Sequence, residues 1–138
     1  MPIYHTDEIS FEVPEGFDDR SLTVLSPTGE PAISLVITRE PRTDAPLATQ
    51  VSQVLEAMLK QVPGSKVTGQ RERTMGGLAA REVRTTTAAN KILLYARQVF
   101  VSYYGTLLTM TVTTKRAHQS FCDRAVESLA DSIKFRKR

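Results

Sequence analysis

The residues best suited to catalysis or metal binding in this sequence are few and lie apart. The chain has two histidines, His5 and His118, and neither has a further ligand at the spacing of a zinc site. His118, Ser120 and Asp123 have the composition of a hydrolytic triad. However, residues two apart on a helix do not face each other, and no strained nucleophile turn surrounds Ser120. The sequence therefore predicts no metal site, no cofactor and no catalytic residues.

Three other features that resemble reactive sites have simpler explanations. The pair Asp18-Asp19 fits a loop turn. Gly76-Gly77 lies between predicted strands and lacks the helix start that a phosphate-binding loop needs. Cys122 lies on the apolar face of a predicted helix, where a buried, unreactive thiol is expected. As the single cysteine of the chain, it also excludes an internal disulfide.

The composition is that of an ordinary globular protein. The chain has 138 residues, 41% hydrophobic and 24% charged, which fits one domain spanning 1–138. The apolar runs are too short to cross a bilayer, and residues 1–7 lack the pattern of a secretory signal. We therefore expect a cytoplasmic protein without stable membrane association. The net charge of +3 is concentrated in the tail at 134–138, so no nucleic-acid-binding face is predicted.

Two segments have the periodicity of amphipathic helices. Asp44 followed by Ala45-Pro46 is a helix start, with Asp44 as the N-cap, and Pro63-Gly64 is a helix end. The apolar stripe of the first helix consists of Leu47, Val51, Val54, Leu55, Met58, Leu59 and Val62. The second helix starts near Ala117, with Thr114 or Ser120 as its N-cap. Its apolar face consists of Phe121, Cys122, Ala125, Val126, Leu129 and Ile133.

Most of the remaining chain alternates apolar and polar residues, as strands do. The predicted strands are 9–13, 21–25, 32–39, 66–74, 78–86, 91–101 and 106–114, with turns at 14–16, 26–29, Gly76-Gly77 and Gly105. Strands joined by short turns are antiparallel, because parallel neighbours need long crossovers. The predicted fold class is α+β, an antiparallel β-sheet flanked by two helices.

Several strands are apolar on both faces, whereas a sheet covered on one face alternates apolar with polar residues. Val36 lies on the opposite face from its apolar neighbours in 33–37. Strand 92–101 has Gln98 among Leu94, Ala96 and Phe100 on one of its two apolar faces. Two arrangements explain this pattern. Either the helices lie on opposite faces, or one apolar face is left for a partner. The pattern alone slightly favours the first.

The order of several short motifs resembles the DcrB-like family. Residues 11–19 (FEVPEGFDD) and 21–25 (SLTVL) resemble the first hairpin of that family. The other matching motifs are 34–40 (SLVITRE), 44–46 (DAP), 76–82 (GGLAARE) and 97–101 (RQVFV), in the same order. This resemblance implies a Mog1/PsbP-like fold, in which helices flank an antiparallel sheet.

Within this superfamily the short members without a signal peptide resemble the Eag chaperones of type VI secretion. The resemblance implies a homodimeric, non-enzymatic chaperone that binds the N-terminal transmembrane helices of a secreted Rhs/PAAR-type effector before export. It also implies an apolar sheet face as the client-binding surface, with Leu22, Val24, Val36 and Gln98 at its positions. A glutamine on the first helix of the family corresponds to Val54 here, with Gln53 beside it.

Two other functions remain open at this stage. The same fold suits a generic PsbP/Mog1-like binding module with another protein client, such as a small GTPase or an envelope complex. An enzyme is the third alternative, for which no acid/base or metal constellation is visible.

Overall fold

The computed structural model describes residues 3–5, 10–12, 14–15, 23–25, 33–89 and 91–136. The strands are β1 (Ile3–His5), β2 (Ser10–Glu12), β3 (Thr23–Leu25), β4 (Ile33–Pro41), β5 (Ser65–Met75), β6 (Leu78–Ala89), β7 (Ile92–Tyr103) and β8 (Thr106–Lys115). The helices are α1 (Leu47–Gln61) and α2 (Gln119–Ser132), and a short 3₁₀ turn (Arg116–His118) precedes α2.

Six of these strands form one antiparallel sheet in the order β3-β4-β8-β7-β6-β5. Short turns join β5 to β8 into a meander, and β8 then pairs with β4, which precedes α1 in the chain. The predicted α+β class, an antiparallel sheet flanked by two helices, is confirmed. The strand β1 was not predicted. It pairs with β2 in a separate two-stranded sheet, so the described residues do not show the hairpin expected within 11–25.

The start of α1 differs from the prediction. Pro46 occupies the N-cap position and no side chain caps the helix, so the prediction of Asp44 as the cap is wrong. The side chain of Gln50, which is 4% exposed, holds the entering chain instead. Its Nε2 donates to the carbonyl of Pro41 at 3.0 Å, and its Oε1 accepts from the backbone N–H of Thr43 at 3.2 Å. These bonds fix the direction in which α1 leaves the sheet.

Two glycines permit close contacts that a side chain would block. Gly64 ends α1 as predicted, with φ of +87°, and a Cβ there would lie 2.7 Å from the carbonyl oxygen of Ala88. Gly76 has φ of +57° in the β5–β6 turn, and a Cβ there would lie 2.7 Å from the ring of Phe135. The first contact fixes the end of α1 beside the end of β6. The second fixes the segment after α2 against the β5–β6 turn.

The two helices lie on opposite faces of the sheet, which is the first of the two arrangements considered above. The α2 cluster consists of the buried residues Met75, Ala80, Tyr95, Val99, Val101, Met110, Val112, Cys122 and Val126. The α1 cluster consists of Val51, Leu55, Val83, Phe100 and Leu107. The predicted apolar face of α2 is confirmed. The predicted caps of α2 are wrong, since His118 is the N-cap and makes no side-chain capping bond.

Candidate functional site

Several of the predicted binding positions fall in one row across the sheet. Val24 pairs with Val36, Val36 pairs with Thr111, and Thr111 pairs with Gln98. Gln98 in turn pairs with Val83, which belongs to the α1 cluster. Because directly paired residues share a face, Val36, Thr111 and Gln98 lie on the face that carries α1. Leu22 lies outside the described residues.

A parallel row of small residues lies two positions further along each strand. Ser34 pairs with Thr113, and Thr113 pairs with Ala96. Since side chains alternate along a strand, this row shares its face with Gln98. We call the two rows together the Gln98 surface, defined as Ser34, Val36, Ala96, Gln98, Thr111 and Thr113, all of them partly buried.

Helix α1 covers only one end of this face. Its buried side chains, Val51 and Leu55, pack against Val83, Phe100 and Leu107. None of the residues of the Gln98 surface belongs to that cluster. Within the described part of the chain, the two apolar residues of the Gln98 surface, Val36 and Ala96, therefore do not belong to the packing of α1.

Gln98 has an unused hydrogen-bond acceptor. Its Nε2 donates to Thr111 Oγ1 at 3.4 Å. Its Oε1 is buried and has no hydrogen-bond partner among the residues that the structure describes. Leaving a buried polar atom unpaired costs about 1–3 kcal/mol. An incoming group with an N–H or O–H donor would remove this cost.

Val54 is separate from the Gln98 surface. It is partly buried on α1 and packs against the α1 cluster. Gln53 beside it is exposed. The structure thus groups Val54 with the packing of α1, and it does not bring Val54 into the row of Val36 and Gln98.

A buried ion cluster on the α2 face was missed at the sequence level. Arg97 and Glu82, each with a side chain 1% exposed, form an ion pair. Arg97 also bonds Glu127 at 2.8 Å and Asp123 at 3.4 Å, so it ties the sheet to α2. Arg71 bonds Glu82 at 2.5 Å. The available signal was the presence of a charged residue at an otherwise apolar strand position in each of two matched motifs, 76–82 and 97–101.

The pKa values of this cluster follow from its pairing. Burial alone would raise the pKa of Glu82, but hydrogen bonds and positive charge from Arg97 and Arg71 outweigh it, and the pKa lies below its ordinary value. Hydrogen bonds from Arg97 and Arg73 likewise lower the pKa of Glu127. Both carboxylates are therefore held in the charged form.

The residues that resembled a triad have other roles. Asp123 accepts a hydrogen bond from the hydroxyl of Tyr95 at 2.8 Å. Burial and this bond raise the pKa of Tyr95 to about 12. Ser120 is exposed. Cys122 is 0% exposed, and burial raises the pKa of its thiol to about 11, so the thiolate that a nucleophile requires is disfavoured.

No helix among the described residues is both long enough and apolar enough to cross a bilayer. No group of three or more histidine, cysteine, aspartate or glutamate side chains among them could hold a metal ion.

Most of the chain matches one known family. The sequence model of the DcrB family matches residues 8–132. The chain belongs to the DcrB family. This DcrB-family chain is also 31% identical over 137 residues to a Pseudomonas aeruginosa protein named Effector EagT6, covering 94% of this chain and 95% of that one. The resemblance to DcrB-like and Eag proteins predicted from the motifs is confirmed.

Solved structures share the fold of this DcrB-family chain. A Pseudomonas aeruginosa protein of unknown function has a TM-score of 0.87 and 27% identity, covering 100% of this chain and 99% of that one. LpqN, involved in cell envelope biogenesis of Mycobacterium tuberculosis, has a TM-score of 0.60 and 17% identity, covering 87% and 86%. PsbP of Synechocystis sp. PCC 6803 has a TM-score of 0.56 and 11% identity, covering 95% and 89%. The last two likenesses concern the fold alone, and they confirm the predicted Mog1/PsbP-like architecture.

Proposed function

We propose that this DcrB-family chain is a non-enzymatic adaptor that binds a type VI secretion effector. It binds the apolar N-terminal helices of the effector, of Rhs/PAAR type, and shields them before export. The observation that carries the proposal is the row of Val36, Thr111 and Gln98 on a sheet face that α1 covers only at one end. The identity of 31% with Effector EagT6 supports the same conclusion.

The Gln98 surface has the side chains that a helix needs for close packing. Ser34, Ala96 and Thr113 are small, and small residues let another backbone approach closely. Val36 adds apolar area beside them. Each Å² of apolar client surface that this surface removes from water contributes about 25 cal/mol. The binding mode is an amphipathic or apolar helix seated against a groove beside α1.

The polar groups of the surface give the client an orientation. Gln98 Oε1 is a buried acceptor without a partner in the described structure, so a serine, threonine or amide donor on the client helix satisfies it. The hydroxyl of Thr111 contacts the other end of the same amide. A mostly apolar client with one donor at this point is therefore favoured over a wholly apolar one.

The remaining parts of the proposal concern assembly and place. We propose that the chain acts as a homodimer, and that it binds the effector in the cytoplasm, where the effector awaits export, without stable membrane association. Light scattering of the adaptor alone and with the client measures the stoichiometry. A strict monomer in both states contradicts the dimer.

The test is co-expression with the apolar N-terminal segment of the effector encoded by a neighbouring gene. Wild type is expected to keep the segment in the soluble fraction and to co-purify with it. Val36→Asp places a charge on the Gln98 surface and is expected to abolish co-purification. Leu22→Asp and Val24→Asp test two other positions that the family resemblance predicts for client binding. The matched control is Thr74→Asp, at an exposed position of β5, which is expected to bind like wild type.

Two results contradict the proposal. The first is a client segment that wild type neither solubilises nor retains, which favours a PsbP/Mog1-like module with a different protein client. The second is unchanged binding by a folded Val36→Asp variant, which places the client elsewhere on the chain.

A further inference from the structure

A cleft of about 250 Å³ lies at the edge of the sheet between β5 and β6. It is lined by Thr68, Gly69, Gln70, Arg71, Glu82 and Arg84. Arg84 pairs with Arg97, and Glu82 pairs with Val99, so both lie on the α2 face. The charged residues that line the cleft are therefore on the opposite face of the sheet from the Gln98 surface, and the proposed effector binding does not use them.

The cleft exists because of a local irregularity in β5. The pairing of β5 with β6 shifts between Val67 and Gly69, and such a bulge leaves the extra residue, Thr68, outside the regular ladder. A Cβ at Gly69 would meet no atom within 4 Å, and the φ of Gly69 lies outside the left-handed region. Neither crowding nor backbone conformation requires glycine here. Glycine within a strand often marks a place where a ligand approaches closely.

Arg84 brings an uncompensated positive charge to this cleft. It pairs with Gly69 on one side and with the fully buried Arg97 on the other. Like charges directly opposite in a sheet are destabilising. Arg97 is neutralised by Glu82, Glu127 and Asp123. Arg84 is partly buried and forms no ion pair with a carboxylate of the described residues.

The charges around the cleft do not balance. The charged residues that line it are two arginines, Arg71 and Arg84, and one carboxylate, Glu82. The carboxylate on the floor, Glu82, is already shared among Arg71, Arg73 and Arg97. The excess cation is Arg84, whose guanidinium can bond two oxygens of one planar or tetrahedral anion.

We propose that this cleft is a second binding site, which holds an oxyanion group, a carboxylate or a phosphate, against Arg84 above Gly69. The anion neutralises the excess charge and occupies the space that the missing side chain leaves. Arg71, already bonded to Glu82, flanks the site and adds positive potential.

The binding test is an NMR titration of the full chain with two probes, inorganic phosphate and a capped triglutamate peptide. Saturable shifts are expected at the amides of Thr68 and Gly69. Arg84→Gln is expected to weaken binding about tenfold, the effect of losing a charge-assisted bidentate contact. The control is Arg116→Gln, which removes an exposed cation that does not line the cleft and is expected to leave binding unchanged.

A second variant blocks the cleft and keeps its charge. Gly69→Val fills the open space with a residue that strands favour, so it is expected to fold and to lose binding of both probes. Tighter binding of phosphate assigns the site to a phosphate group, and tighter binding of the peptide assigns it to a carboxylate-bearing partner. Either result supports the oxyanion site. No saturable shift with either probe, or wild-type affinity in Arg84→Gln and Gly69→Val, overturns it.

The charge imbalance has its own test, which needs no ligand. Gly69→Glu places a carboxylate opposite Arg84, and Gly69→Gln is its neutral match. The Tm of the glutamate variant is expected to exceed that of the glutamine variant at low salt, with the difference shrinking at about 1 M NaCl because salt screens the pair. Equal Tm values at low salt contradict the uncompensated charge. Neither test involves the effector, so each can fail while the proposed function stands.

Discussion

The two faces of the main sheet differ in how completely a helix covers them. On the α2 face, apolar packing runs from Leu35 and Ile37 on β4 to Ala80 on β6. On the α1 face, the corresponding cluster runs from Val67 on β5 to Leu107 on β8 and includes no described residue of β4. Among the described residues, apolar packing thus reaches β4 on the α2 face and does not reach it on the α1 face.

The buried polar residues on the two faces also differ in their charge. The α2 face buries full charges, and Arg97 and Glu82 are held there by a network that ties β6 and β7 to α2. The Gln98 surface on the α1 face carries neutral side chains, and the amide oxygen of Gln98 has no partner among the described residues. The ion pairs of the α2 face stabilise the fold even though the Nε of Arg97 also has no hydrogen-bond partner among the described residues. The unpaired acceptor of Gln98 favours binding of a donor.

The largest effect is expected from breaking the ion cluster of the α2 face. Glu82→Gln leaves Arg97 buried without its main counter-charge, and removing one partner of a buried pair costs about 3–5 kcal/mol. Urea unfolding measures the free energy. The matched control is Glu72→Gln, whose side chain is 84% exposed and pairs with Arg81 at 3.6 Å. Its expected change is within about 0.5 kcal/mol. Similar losses in both variants would mean that the cluster is not structural.

Leu35 and Val36 are neighbours on β4 and lie on opposite faces of the sheet, so substitutions at these two positions compare the faces directly. Leu35 packs in the α2 cluster, and Val36 lies on the Gln98 surface. Leu35→Asp buries a charge in the α2 cluster, and we expect it to reduce the free energy of unfolding by about 3 kcal/mol. Val36→Asp is expected to cost only about 1 kcal/mol, since Val36 is partly buried and belongs to neither apolar cluster. Thermal and urea unfolding of both variants measure the difference. A larger loss for Val36→Asp would show that apolar packing includes Val36 as well.

Acid is expected to weaken the α2 face selectively. The pKa values of Glu82 and Glu127 lie below their ordinary 4.5 in the folded chain. As the pH falls through this value, the unfolded chain takes up protons before the folded chain does, so the free energy of unfolding decreases. Stability is therefore expected to be full above about pH 5 and to fall progressively below it. Urea unfolding at several pH values measures the slope. Glu82→Gln is expected to flatten the dependence of the free energy of unfolding on pH. An unchanged slope in this variant contradicts the assignment of the acid sensitivity to Glu82.

The smallest expected effect concerns Gln98. Gln98→Leu removes the unpaired acceptor, so we expect the free energy of unfolding to stay constant or rise by up to about 1 kcal/mol. Client binding is expected to weaken about tenfold, because the donor on the client loses its acceptor. Gln53→Leu, at an exposed position of α1, serves as the control and should change neither quantity. Calorimetry and affinity measurements on the same samples distinguish the outcomes. A destabilised Gln98→Leu variant would assign this amide to the fold.

Periodicity and turn residues predicted most of the fold. The meander from β5 to β8 followed from alternation and short turns, because both are local properties of the chain. The pairing of β4 with β8 did not follow, since it depends on how distant segments meet. The cap at Asp44 was mispredicted for a related reason. Gln50 holds the chain before α1 through tertiary hydrogen bonds, which no local pattern reveals.

The candidate site was predictable in part. The positions of Val24, Val36 and Gln98 came from the family resemblance, and the register of the sheet places them in one row. The small residues Ala96 and Thr113 completed the surface only once the register was known. The sequence shows Glu82 and Arg97 as charged residues within apolar strands, but it does not show that they are partners, because the two strands meet only through the pairing of β6 with β7.

The central claim is that the client binds on the α1 face at the Gln98 surface. An environment-sensitive fluorophore attached at Thr111→Cys reports directly on that surface. Lys66→Cys, an exposed position on the α2 face, is the control. Cys122 is 0% exposed, with its pKa raised to about 11, so it does not compete for the label. Adding the apolar client segment is predicted to shift the emission of the Thr111→Cys label to shorter wavelength and to leave the Lys66→Cys label unchanged. A client that binds while only the Lys66→Cys label responds would contradict this account.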